Sequence, residues 1–341
     1  MKDEKKMMAV VIPCWNEEKL LSEMLDCLLK QSYPHWVAYC VDDQSTDGTA
    51  EIIKAYQKKD TRIHYVRRDR EPKGGQTCRN TGIDCALEAK YITFFDADDV
   101  VAPYCFEQRV AFMETHPELD FGVFPVFAYA EDIHEEDGPV FGVKTFDDDL
   151  EAMIGFTVPL YTSTNTYRYE RLIEAGIRWD EKVKSYQDVE INIQVLLSGM
   201  RFGYATGARA DYFYHYTTDG VAGSGKAKRN YESHLYLIDK VTQNVSAKYG
   251  KKYNLCMEAM ITTFIGAFRD TWWPYFKILH MPWMQRRWGF KMRILLYMAI
   301  IKMDRRVLFY KYRKYSKRQN ALWKESMARY RKELLERGVE V

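Results

Sequence analysis

Apolar residues gather in short runs over the first third of the chain, and each run stops at a polar or turn-forming residue. MMAVVIP (7–13) is too short for a helix and ends at a proline, which predicts a buried strand. Over 17–30, Leu20, Leu21, Met24, Leu25, Leu28 and Leu29 recur at helical spacing. WVAYCVD (36–42) predicts a second strand, and STDGTAEIIKAYQKK (45–59) a helix opened by a capping Ser/Thr/Asp cluster. RIHYV (62–66) and YITFFD (91–96) continue the strands, with GGQTCRNTGIDCALEAK (74–90) between them as a glycine loop leading into a helix. Strands separated by helices at this interval predict βαβ crossovers and an α/β fold on a mostly parallel sheet. Ligands of such sheets bind beyond the carboxyl ends of the strands. Pro13-Cys14, Asp42-Asp43 and the aspartates within 96–99 all fall at those ends, so three polar signals converge on one edge.

The pattern loosens after about residue 103. LDFGVFPVFAYA (119–130) reads as strand, HEEDGPVFGVKTFDDD (134–149) as an exposed acidic loop, and YRYERLIEAGIRWDEK (167–182) as a helix and turn. SYQDVEINIQVLLSG (185–199) is a helix with a polar start; MRFGYA (200–205) and ADYFYHY (210–216) are strands. The glycine-rich basic stretch GVAGSGKAKRN (220–230) leads into a helix through 241, and from about 251 the spacing is helical throughout. The expected division is 1–130 and 131–250 as two halves of one domain, followed by a helical region over 251–341.

Composition narrows the class. With 47% hydrophobic and 29% charged residues among 341, the chain has the make-up of a folded globular protein. Its seven cysteines are scattered, odd in number and without a C-x-x-C pair, which argues against a disulfide framework or zinc site and for a reducing cytosol. The N-terminus has no apolar core of leader-peptide length. No stretch approaches the roughly 18 apolar residues of a membrane span; ILLYMAII (294–301) is bounded by Arg293 and Lys302.

Net charge is only +2, but 286–332 holds sixteen Lys/Arg against two acids, so the rest of the chain is acidic. Tryptophan, tyrosine and phenylalanine interleave with these basic residues. Basic, aromatic helices too short to span suit the headgroup region of an anionic membrane. The alternative is that the rings pack on the rest of the chain or on a second subunit of a homo-oligomer. A nucleic-acid partner is not expected, given the acidic body.

Asp96, Asp98 and Asp99 crowd like charges after an apolar strand. Asp98 could cap the helix that begins near Pro103. The cluster could instead bind magnesium alone, or a divalent cation that bridges a nucleotide diphosphate and neutralises it as it leaves.

VVIPCWNEEKLL, VDDQSTDGTAEII, GGQTCRNTGIDCAL and YITFFDADD follow in this order, each at a strand–helix junction. Together they closely resemble the family-two glycosyltransferases, whose nucleotide-diphosphosugar-binding fold is called GT-A. The resemblance is strong over about 7–130 and looser to about 235. It implies that the backbone at Pro13 and Cys14 and the side chain of Asp43 contact the nucleobase, with Glu17 or Glu18 nearby unless both merely begin the helix. It places Gly75 and Arg79 against the nucleotide, Asp96 and Ala97 near the ribose or donor sugar, and Asp98 on Mn2+ or Mg2+. Asp99 would share either task. The family usually has Thr and Tyr where this chain has Cys14 and Trp15.

The same resemblance makes Asp188 the catalytic base, although Gln187 replaces the usual preceding Glu. One base with no covalent intermediate implies a single displacement and inversion. By its own sequence Asp188 could equally be a first-turn helix charge, and Glu190 is the alternative base. The family layout lets the segment after His215 close over the diphosphate, with His215 completing the metal shell or donating to phosphate and Ser224 and Lys226 donating to phosphate; by its own sequence His215 could equally be structural. The reading as a whole is a cytosolic enzyme on the inner membrane face. It transfers a hexosyl or N-acetylhexosaminyl group from a nucleotide diphosphate sugar, a UDP-sugar, to a glycan or lipid-linked glycan hydroxyl. A nucleotidyltransferase on the same fold would want a basic phosphate loop where IPCWNEE is acidic; a noncatalytic binding subunit is the other rival.

Overall fold

The structure is a computed structural model that describes residues 7–129, 140–157, 159–215, 230–265, 273–299 and 310–337. In chain order the first half contains β1 (Met8–Cys14), α1 (Leu21–Leu29), β2 (Trp36–Asp42), α2 (Thr49–Lys59), β3 (Ile63–Arg67), α3 (Gly75–Cys85), β4 (Tyr91–Phe94), β5 (Val100–Val101), α4 (Cys105–Thr115), β6 (Phe121–Val123) and β7 (Val126–Tyr129). Then come β8 (Val140–Phe141), α5 (Asp149–Ile154), β9 (Asn165–Arg168), α6 (Tyr169–Glu174), α7 (Gln187–Ser198), β10 (Phe202–Tyr204), β11 (Tyr212–His215) and α8 (Tyr231–Tyr249). Four further helices are α9 (Asn254–Ile265), α10 (Trp273–His280), α11 (Trp288–Ala299) and α12 (Tyr310–Glu336).

A seven-stranded sheet runs β10-β6-β9-β4-β1-β2-β3, with β9 antiparallel to both neighbours and the other pairings parallel. This is the mostly parallel GT-A architecture expected. The unbroken apolar run of β1 follows from helices on both faces. Ala9 and Val11 enter one core, while Met8, Val10 and Ile12 enter the other. Gly82 of α3 lies so close to β1 that a Cβ there would stand 2.2 Å from Val11 Cγ1.

The expected single strand over 119–130 is two. Phe124 and Pro125 interrupt it, so β6 joins the large sheet and β7 a four-stranded one, β5-β11-β7-β8. The expected acidic loop at 134–149 is a second departure over its described part. Val140 and Phe141 pair with β7, Val140 and Phe146 are buried, and Asp149 accepts from Tyr204 Oη at 2.8 Å. Asn165–Arg168 was not legible as a strand, because polar side chains occupy it. Buried Arg109 explains part of that polarity, because it donates to Thr166 Oγ1 at 3.4 Å. It pairs with buried Asp211 at 2.6 Å and donates to Thr93 Oγ1 and the Ser163 carbonyl.

Much of the basic, aromatic tail packs on this body. Met257, Met260, Ile261 and Phe264 of α9 join the core of the large sheet. On α12, Tyr315 donates to the Glu151 carbonyl at 3.2 Å, Ser326 to that of Lys144 at 3.1 Å and Tyr330 to that of Ala208 at 2.9 Å. All seven thiols are free, and among the described residues no helix is long and apolar enough to cross a membrane.

Candidate active site

The parallel register of β1 with β2 and β4 sets Cys14 beside Asp42 and brings the end of β4 to the same edge. Pro13 and Cys14 close β1 there, and the Asp43 amide donates to the Cys14 carbonyl at 2.8 Å. Asp42 is spent on the turn, accepting from the Ser45 amide at 3.0 Å and Tyr65 Oη at 3.2 Å. The Asp43 carboxylate is held by the buried guanidinium of Arg68, a partner that sequence reasoning missed. Glu18, not Glu17, caps the loop before α2 by accepting from the Gly48 amide at 3.0 Å. Glu17 faces the aspartates of β4. Burial, then the charges of Asp98, Asp47 and Asp96, push its carboxyl up to about 7.

The three aspartates have different tasks. Asp96 pairs with Arg79 at 2.5 Å. Ala97 is buried between the carboxylates. Asp99 is buried and accepts from the Tyr212 hydroxyl and, at 2.8 Å, from the His215 amide, so it fastens β11 to the end of β4. Asp98 is half-buried and has no ion pair or side-chain hydrogen bond among the described residues. Burial, then repulsion from Asp96, raises its carboxyl to about 6, an effect that the nearby His215 opposes. It caps no helix: α4 starts at Cys105 with Tyr104 as its N-cap. His215 stacks on Tyr129 with centroids 5.0 Å apart.

A lone partly buried carboxylate beside two like charges is the arrangement a divalent cation would relieve. No group of three His, Cys, Asp or Glu side chains forms a cage among the described residues. The set therefore fits an ion such as Mg2+ that takes one or two protein ligands and its remaining ligands from phosphate and water.

Arg79 reaches the second constellation. Its Nη1 donates to Gln187 Oε1 at 3.0 Å, and its guanidinium lies over the Trp179 ring at 4.6 Å. Gln187 also donates to Gln76 Oε1 at 2.9 Å. Gly75 opens α3 beneath them, where a Cβ would stand 3.1 Å from Arg79 Nη1. The next residue, Asp188, does not cap its own helix. The N-cap is Tyr186, and the Asp188 carboxylate accepts from the Thr162 amide at 3.0 Å and from the Thr162 hydroxyl. Burial raises the Asp188 carboxyl, Thr162 and Arg79 counter that rise, and Asp96 adds to it. Both constellations thus share one electrostatic field.

Glu190 points to a separate network, paired with Lys240 at 2.6 Å and accepting from Gln194. That network ties α7 to α8, away from the Arg79 bridge. Ser224 and Lys226 lie outside the described residues. Half-buried rings extend from the aspartates: Tyr214 lies 5.9 Å from Tyr161, Tyr161 lies 4.4 Å from Phe141, and Phe141 lies 5.6 Å from Trp323 of α12.

Residues 9–175 match the glycosyl transferase family 2. The matched region is that of a family 2 glycosyl transferase. It is 35% identical over 113 residues to the putative teichuronic acid biosynthesis glycosyltransferase TuaG of Bacillus subtilis, covering 33% of this chain and 44% of that one. It is 26% identical over 215 residues to the poly(ribitol-phosphate) beta-glucosyltransferase of Bacillus spizizenii, covering 62% of this chain and 32% of that one. The chain thus spans less than half the length of these two relatives. Its fold is shared with S. aureus TarS 1-349, solved in complex with UDP-GlcNAc, at a TM-score of 0.63 and 18% identity over 90% of this chain and 92% of that one. The family match ends before Asp188 and His215, so it says nothing of the second constellation.

Proposed function

We propose that the chain is an inverting glycosyltransferase that moves a hexosyl or N-acetylhexosaminyl group from a UDP-sugar to a hydroxyl of a surface glycan or its lipid-linked precursor. The observation that carries this reading is the Arg79 bridge, which sets the aspartates after β4 and the carboxylate of Asp188 around one cleft edge. The donor is supported by TarS, solved with UDP-GlcNAc, and the acceptor class by relatives named for teichuronic acid and poly(ribitol-phosphate).

Asp188 takes the proton of the acceptor hydroxyl as its oxygen bonds to the anomeric carbon. The bond from that carbon to the diphosphate oxygen breaks, and UDP leaves with its electron pair. Arg79 and Asp96 position the donor, and Pro13, Cys14 and Asp43 line the base. Asp98, with His215 beside it, would hold Mn2+ or Mg2+, which when bound offsets the charge of the diphosphate. The half-buried rings from Tyr214 to Trp323 offer apolar faces to a sugar chain. The inner face of the cell membrane is the location this acceptor calls for.

The test is UDP release from UDP-sugars with manganese. Asp188→Asn should abolish release while calorimetry still detects donor binding. Release that survives the substitution removes Asp188 as base, and wild-type binding without turnover under any donor and acceptor would leave a noncatalytic binding subunit.

A further inference from the structure

We infer that the outward faces of α10 and α11 form the surface by which the chain docks on an anionic lipid bilayer. The sequence spreads basic and aromatic residues over the whole tail, but the structure separates them. On α12 the rings of Tyr312, Tyr315 and Tyr330 are buried against the body, and the outward side carries Lys314, Lys317, Arg318 and Lys324. Among its described side chains that helix presents charge without an outward aromatic face.

α10 and α11 are built the other way. Each already has an inward apolar face, Tyr275, Ile278 and Leu279 on α10 and Phe290 and Ile294 on α11. Each carries a second apolar stripe facing out. Trp273 and Phe276 are 54% and 53% exposed, and Trp288 and Met292 are 68% and 54% exposed. The outward residues repeat at i, i+3 and i, i+4, so each pair lies along one helix side. Trp273 and Phe276 stack at 6.0 Å. Nothing in the core requires these side chains, and leaving such large rings in water is unfavourable.

Cations accompany each stripe. Lys277 lies 5.1 Å from the Trp273 ring and Lys291 lies 5.5 Å from the Trp288 ring, and Arg286 is exposed between the helices. Tryptophan with adjacent lysine and arginine matches a lipid interface, where rings enter the headgroup boundary and cations meet anionic phosphates. Over their described residues, 8 and 12, neither helix is long enough to span. The surface therefore lies on the membrane. This inference is independent of the active-site reading, because it concerns binding alone.

The test is co-sedimentation of the full chain with phosphatidylglycerol–phosphatidylcholine vesicles. The wild type should pellet with them, less with pure phosphatidylcholine and progressively less as salt rises. Trp288→Ser/Met292→Ser and, separately, Trp273→Ser/Phe276→Ser should weaken binding by about tenfold or more. Leu87→Ser, which removes another exposed apolar side chain far along the sequence, should not. Thermal melts of each variant confirm folding. Binding indifferent to lipid charge, or unchanged in both double variants, overturns the proposal. So does a wild-type dimer that these substitutions dissociate, since a second copy would then be the occupant.

Discussion

Asp96 and Gln187 are held by the same guanidinium: Arg79 pairs with the first at 2.5 Å and donates to the second at 3.0 Å. The aspartate follows β4 and the glutamine opens α7, so one side chain ties the end of β4 to the start of α7. Arg79→Lys keeps the charge but cannot serve both partners with a planar fork. Transfer should fall by about a hundredfold with a small change in the melting temperature. Equal loss of activity and of folded protein would instead mark Arg79 as a core residue.

Thr162 opposes the rise that burial imposes on the Asp188 carboxyl. Its hydroxyl bond stabilises the charged carboxylate against the upward push of burial. Thr162→Val removes that bond, so the carboxyl rises further and Asp188 is protonated over a wider range. The acid limb of the pH–rate profile should move to higher pH, with the alkaline limb in place. An unmoved acid limb would mean that another group limits the rate there.

Much of the donor edge was legible because β1, β2 and β4 are apolar runs that stop at polar residues, and burial on both faces requires that pattern. Arg79, Asp96, Asp98 and Asp188 were readable as members of ordered segments. Their partners were not. Thr162 and Arg68 sit in no motif and matter only because the fold brings them to Asp188 and Asp43. Asp99 and Glu190 read as candidates because a carboxylate in sequence does not show that Tyr212 or Lys240 already engages it. Strand β9 was missed for a related reason: Asn165 is wholly buried but satisfied, donating to Asn192 Oδ1 at 2.7 Å and Tyr167 Oη at 2.8 Å.

The ion pair of Arg109 and Asp211 joins α4 to the start of β11 with no access to water. Asp211→Asn leaves the guanidinium buried with its charge uncompensated, at a cost of about 3–5 kcal/mol. Urea unfolding should show that loss as a lower midpoint. A shift below about 1 kcal/mol would mean that Thr93 Oγ1 and the Ser163 carbonyl, its other acceptors, suffice.

His234 of α8 is buried, with Nε2 2.8 Å from Ser185 Oγ just before α7. Burial lowers its pKa from 6.5 to about 4. Between those values the unfolded chain holds the proton and the folded chain does not, so stability falls as pH drops through 6.5 and levels near 4. The loss should be at most about 2–3 kcal/mol. His234→Gln should flatten the profile over that window, and an unaltered slope would assign the acid sensitivity to other groups.

The crossing at Phe124 and Pro125 ties the architecture together, since the strand before it completes the large sheet and the strand after it the small one. β9 and β10, from later in the chain, then return to flank β6. Severing the backbone at that link would leave neither fragment with a finished sheet, so the two pieces should regain structure only when mixed.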